Sequence, residues 1–283
     1  MRTHVRILGV AAALAVGAWL LTGPGGAADN DLIWKPVLEE SAAKDLIKQQ
    51  TDLIQKELAE PKKDARAVRK SNTRIKILAV EAAAFAQSAK AQNLAGMRDA
   101  ALKLAKAAGD SAKPDVIKKL VEDLTSAKPN AGGPSGPVKW KDYLDDQDEV
   151  MTPFKTLPKG GDGLPPSLQS NARLKGTLNG VEEKIRELAK RALRPNLVAK
   201  EAPDIALMAD KVAVLAQLNY EFAPEKDEGM KKVKDWKEWS VEMRQTALEL
   251  AEAARKADAQ KIFAASQKVN SNCNKCHGIF KPE

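Results

Sequence analysis

Two cysteines and a histidine stand together in Cys273-Asn274-Lys275-Cys276-His277. Cys-x-x-Cys-His is the attachment sequence of a c-type haem. Each thiol adds to one vinyl group of the porphyrin, and the adjacent imidazole reaches the iron. Two residues between the thiols let one turn of backbone span the two vinyl positions. The expectation is one covalent haem c, with Cys273 and Cys276 as thioethers and His277 as the proximal iron ligand. Zinc and a redox dithiol are the alternatives. Zinc takes four ligands, yet the only other Cys or His is His4. A carboxylate or a second chain would have to complete a zinc set.

The elements that must position these groups begin with a leader. Arg2, His4 and Arg6 precede an uncharged, mainly apolar run from Ile7 to Leu21, then small residues up to Ala28. Residues 1–28 are expected to be a signal peptide cut before Asp29. The run is short for a membrane span, which needs roughly 20 residues. Export to the periplasm or an equivalent compartment follows, with membrane attachment only if the segment is retained. Without the leader no second histidine remains.

The rest is rich in Ala, Lys, Leu and Glu and poor in aromatics, a composition that favours helix. A Pro- and Gly-rich stretch at 128–137 is expected to be a linker. It separates 29–127 from 138–283, and the two sides resemble each other in order. Trp34-Lys35 matches Trp140-Lys141, and Lys56-Glu57-Leu58-Ala59 matches Arg186-Glu187-Leu188-Ala189. Ala86-Gln87 matches Ala216-Gln217, and the stretch from Arg98 to Ala108 matches that from Arg244 to Ala254. The pattern reads as an internal duplication. Ala127, Asn130 and Ala131 stand where Cys273, Cys276 and His277 would have counterparts, so the first half is expected to carry no haem.

Breakers divide the second half into four helices: Pro165 to about Leu193, Ala202 to about Phe222, Met230 to about Arg255, and Asp258 through the haem motif. Apolar residues recur at helical spacing, as in Val181, Ile185 and Leu188. Short connections suggest an up-down-up-down bundle. The fold class expected is all-α, with two four-helix-bundle-like modules.

A four-helix bundle with Cys-x-x-Cys-His near the end of its last helix resembles cytochrome c′ and its relatives. The family motif continues with two variable residues, an aromatic and a basic residue, here Gly278, Ile279, Phe280 and Lys281. The resemblance covers 165–283 in layout and motif, and 29–127 in layout only. It implies a haem at the end of the bundle where the fourth helix finishes. Tyr220, Phe222, Trp236, Trp239 and Phe280 are expected to collect there and cover the porphyrin. In the first half, Lys90 and Asn93 replace the two tryptophans.

The resemblance also implies a distal residue early in the first helix of the module. This chain offers Leu174 and Leu178 there, and neither ligates iron. The iron is then expected to be five-coordinate, with an apolar face that admits nitric oxide or carbon monoxide. Met230 or Met151 stays open as a second axial ligand, which would suit electron transfer.

An electron carrier of the cell envelope with an unidentified redox partner protein is therefore the expected function, and binding of a small gas the alternative. A homodimer stays open. A haem peroxidase, which places a distal base and a cationic group over the iron, lacks the histidine it needs. The net charge of +8 falls to +6 without Arg2 and Arg6. Mixed signs along the helices, as in Glu182-Glu183-Lys184, describe a solvated surface rather than a nucleic-acid interface.

Overall fold

The computed structural model of the chain describes residues 34–90, 92–128, 138–169 and 178–281. The expected signal peptide, the linker from 129 onward and Leu174 lie outside the described residues. From Trp34 to Glu283 the chain forms one unit. It is all-helical, with no strand among the described residues.

The first half supplies α1 (Glu40–Ala59), α2 (Ala65–Gln87), α3 (Ala95–Gly109) and α4 (Pro114–Ser126). Asp64 caps α2 by accepting from the Ala67 amide at 2.8 Å, and Pro114 opens α4 where its missing N–H has no helical partner to lose. Successive helices pack against one another and α4 returns to α1, which closes the bundle. The second half supplies the short α5 (Gln147–Met151), then α6 (Val181–Leu188), α7 (Pro195–Glu221), α8 (Val233–Arg255) and α9 (Ala259–Phe280). Here α7 packs on α8, α8 on α9 and α9 on α6. The matched stretches of the two halves fall on corresponding helices, α1 with α6, α2 with α7 and α3 with α8.

Two expected helix boundaries are corrected. A helix from Pro165 to Leu193 is not formed as a unit. Among the described residues there is a 3-10 turn, Pro166–Leu168, and then the eight residues of α6. Glycine explains the late start of α6. Gly180 is extended, with φ −141° and ψ 148°, and a Cβ there would meet the Lys155 carbonyl oxygen and the Thr156 nitrogen at 3.1 Å. A Cβ on Gly161 would fall 1.7 Å from the same carbonyl oxygen. The loop from Lys155 therefore folds closely onto the entry to α6; Gly161 has no room for a side chain, and one on Gly180 would crowd the loop. The second correction is that α7 begins at Pro195 rather than Ala202, and Pro203 lies inside it. Pro203 and Ala199, whose carbonyl loses its helical donor, are both exposed, so water can take the donor's place.

α2 is buried without a break from Ile75 to Ala86, and α7 from Met208 to Asn219. Each is the central helix of its half, and the two pack on each other. Alanines recur in both buried stretches, which lets neighbouring backbones come close. The two halves thus share one core. Trp34 and Trp140, matched in sequence, meet in space with ring centroids 4.7 Å apart. Gln217 of α7 donates to the Ser88 hydroxyl at 3.2 Å and accepts from the Lys35 amide at 3.2 Å.

α6 is anchored through a buried charge. Lys184 is fully buried and pairs with Glu201 of α7 at 2.7 Å and with Glu187 at 3.0 Å. Breaking such a pair leaves a carboxylate desolvated and unpaired, which costs about 3–5 kcal/mol. Lys184→Ala is expected to lower unfolding stability by that amount in chemical denaturation. A Lys184→Met, Glu201→Leu double variant, which removes both charges, is expected to recover most of the loss.

Candidate functional site

α9 carries the three chemical groups, and its sequence explains how it holds them. Asp258 caps the helix by accepting from the Lys261 amide at 3.1 Å. Ile262, Ala265, Ser266, Val269 and Asn272 form the buried stripe at three- and four-residue steps. Cys273, Cys276 and His277 follow at i, i+3 and i+4, so they share one face. All three are half-buried, and both thiols are free. Among the described residues no group of three or more His, Cys, Asp or Glu side chains converges as a metal cage.

α8 fixes the register of α9. Asn272 donates to the Thr246 hydroxyl at 3.2 Å, Lys275 pairs with Glu242 at 3.2 Å, and Lys268 pairs with Glu249 at 2.8 Å. The two ion pairs are exposed and contribute little, about 0–1 kcal/mol each. The aromatic contacts beyond them are buried. Phe280 lies edge-on to Trp236 at 4.8 Å and to Trp239 at 5.7 Å between ring centroids. Trp236 is 1% exposed, and its indole N–H donates to the Asn219 carbonyl at 2.7 Å. The Asn219 side chain donates in turn to the Ser240 hydroxyl at 2.8 Å. This chain of bonds ties the end of α7 to the start of α8.

The structure brings together most of the aromatic residues that the sequence pointed to. Phe280 lies against both Trp236 and Trp239. Tyr220 lies at the end of α7, with the Lys237 ammonium 5.4 Å from its ring centre. The Lys275 ammonium lies 5.0 Å from the Trp239 ring centre. Phe222 follows α7 and is half-buried against the core. Leu178 is buried just ahead of α6, and its amide donates to the Gln169 carbonyl at 2.8 Å. Met230 is 75% exposed, on a tight turn that Glu228 and Lys231 close. Met151 ends α5, which packs on α7 and pairs its Glu149 with Lys76 of α2 at 2.8 Å.

α6 brings charges that sequence reasoning did not assign. Glu182 and Arg186, paired with each other at 2.6 Å, act on both Cys273 and His277 through space. The amphipathic pattern of Val181, Ile185 and Leu188 was enough to put Glu182 and Arg186 on an adjoining face. It did not say that this face meets the end of α9. Burial pushes the Cys273 thiol up to about 12, and Glu182 adds to the effect. Burial alone raises the Cys276 thiol to about 11. Burial holds the His277 imidazole below its ordinary value, with Glu182 opposing and Lys281 and Arg186 reinforcing. A neutral imidazole keeps a nitrogen lone pair available for a metal.

The donor set fits a covalently attached porphyrin: two unpaired thiols, a neutral imidazole on the same helix face, and an aromatic group at the end of that helix. The thiols also set a pH dependence. A thiol whose folded value lies above its ordinary 9.0 stabilises the fold below that pH, and this contribution is lost as pH rises through the folded values. Protein made without haem is therefore expected to lose thermal stability from about pH 9 upward. In the Cys273→Ser, Cys276→Ser protein this part of the loss should disappear, as read by melting temperature against pH.

Comparison of the chain with protein-family models, with curated proteins and with solved structures found no match.

Proposed function

We propose that this chain is an exported c-type cytochrome that holds one haem covalently and carries electrons between proteins of the cell envelope. The observation that carries the reading is the shared face of Cys273, Cys276 and His277 at the end of α9. The resemblance to cytochrome c′ belongs to the same proposal, and so does the duplication that leaves the first half without the motif. When bound, the haem iron supplies reversible one-electron chemistry.

The residues of the chain have distinct parts in this reading. Cys273 and Cys276 hold the porphyrin edge through their sulfurs, and His277 presents a neutral imidazole nitrogen. Trp236, Trp239 and Phe280 make the adjoining surface apolar. Glu182 and Arg186 offset each other's charge beside the thiols, which limits the net field at that face. The net positive charge of the chain favours an acidic redox partner, an attraction that weakens with salt. Among the described residues no helix is long and apolar enough to cross a membrane.

A second reading, binding of a small gas such as nitric oxide or carbon monoxide, draws support from the methionines. Met230 stands in solvent on its turn, and Met151 sits on a helix that packs on α7 and pairs with α2. An iron without a sixth protein ligand would leave a coordination position open.

Colour retained by the polypeptide after acid–acetone extraction is the expected result for the wild type. Loss of all colour would overturn the covalent haem. Cys273→Ala, Cys276→Ala protein is expected to lose the colour, while His277→Ala keeps it with an altered spectrum. For the second reading, the reduced protein is expected to be high-spin and to shift on addition of carbon monoxide. A low-spin spectrum that Met230→Ala or Met151→Ala converts to high-spin would instead identify a methionine ligand.

A further inference from the structure

A cavity of about 310 Å³ lies where α1 of the first half faces α7 and the loop ahead of α6. Its volume is at the lower end of the roughly 300–1,000 Å³ of small-molecule sites, and about ten times the 30 Å³ share of one water. Leu46 and Leu53 form the α1 wall, Leu207 and Met208 the α7 wall, and Leu164 and Val181 complete the apolar lining. Exposed Gln49, Asp52 and Lys56 mark the mouth.

The polar floor is built and buried. Lys211 is 5% exposed and pairs with Asp162 and, at 3.3 Å, with Glu81. Gln50 is 0% exposed, and its amide donates to the same Asp162 carboxylate at 3.1 Å. Asp162 thereby spends its charge on Lys211 and Gln50. What the floor leaves over is an acceptor, because the Gln50 Oε1 is buried and has no hydrogen-bond partner. A buried acceptor left unpaired is costly, and a donor brought by a ligand relieves that cost. The Lys211 ammonium is already matched by two carboxylates, so the buried floor has no cation to spare, and Lys56 lies exposed at the mouth.

We propose that this cavity binds a small neutral, mostly apolar molecule whose single hydrogen-bond donor is taken by the Gln50 Oε1. Phenols and indoles are of this chemical class. The half that lacks the Cys-x-x-Cys-His sequence supplies Leu46, Gln50 and Leu53, so the site exists only because the two halves share one unit. Its lining also includes Val181, the first residue of α6, and the next residue, Glu182, acts through space on Cys273 and His277. The inference does not depend on the haem reading.

Calorimetric titration of the full chain with indole and with N-methylindole tests it. Indole is expected to bind with a dissociation constant below about 10 mM, and N-methylindole, which lacks the donor, at least about tenfold more weakly. Leu207→Trp, which fills the cavity from a half-buried position, is expected to abolish indole binding while the melting temperature stays near wild type. Gln50→Leu is expected to bind the two compounds alike, with circular dichroism confirming that it folds. Absence of indole binding, equal binding of both compounds to the wild type, tighter binding of an anion such as benzoate, or undiminished binding to a folded Leu207→Trp protein would each overturn the proposal.

Discussion

Lys211 lies on α7, in the middle of the seam between the two halves, with its ammonium out of reach of water. An ammonium in such a place must be matched by negative charge, or it loses its proton. Glu81 comes to it from α2 and Asp162 from the loop ahead of α6. Burial raises Glu81 and lowers Lys211, and the attraction between them offsets only part of that cost. One side chain therefore sets how α2, α7 and the loop meet. Since α2 and α7 are the central helices of their bundles, the relation of the two halves follows from it. The buried Lys184–Glu201 pair repeats the device between α6 and α7.

The end of α9 inherits its geometry from these constraints. α7 fixes α8 through Asn219, Ser240 and Trp236, and α8 fixes α9 through Thr246 and the aromatic contacts of Phe280. α6, anchored by Lys184, closes the other side and brings Glu182 and Arg186 to the thiols. A motif of three residues thus depends on polar contacts spread over four helices. Most of those contacts are buried, which is why they position the groups more firmly than the exposed ion pairs along α8 and α9.

Much of the fold was legible in the sequence because helices announce themselves locally. Asp258 opens the last helix where the sequence places its start, and the apolar steps of α6 read at the helical period. The errors came where a local rule met a tertiary one. Pro203 looked like a helix start, but α7 runs through it because the face it disturbs is exposed to water. The stretch after Pro165 looked like one long helix, yet Gly180 is held extended by the close approach of the Lys155 carbonyl. That contact joins residues far apart in sequence.

By itself the sequence determined the all-helical class, the order of the helices and the chemical identity of Cys273, Cys276 and His277, because each rests on spacing within a few residues. Trp236, Trp239 and Phe280 were legible as neighbours, since helix direction and a short connection bring the end of α9 to the start of α8. Only the tertiary structure decided that the two halves form one unit, that Glu182 and Arg186 act on Cys273 and His277, and that Gln50 is buried with its Oε1 unpartnered. Those facts depend on desolvation, and whether a lysine or a glutamine loses its water is settled by which helices pack around it.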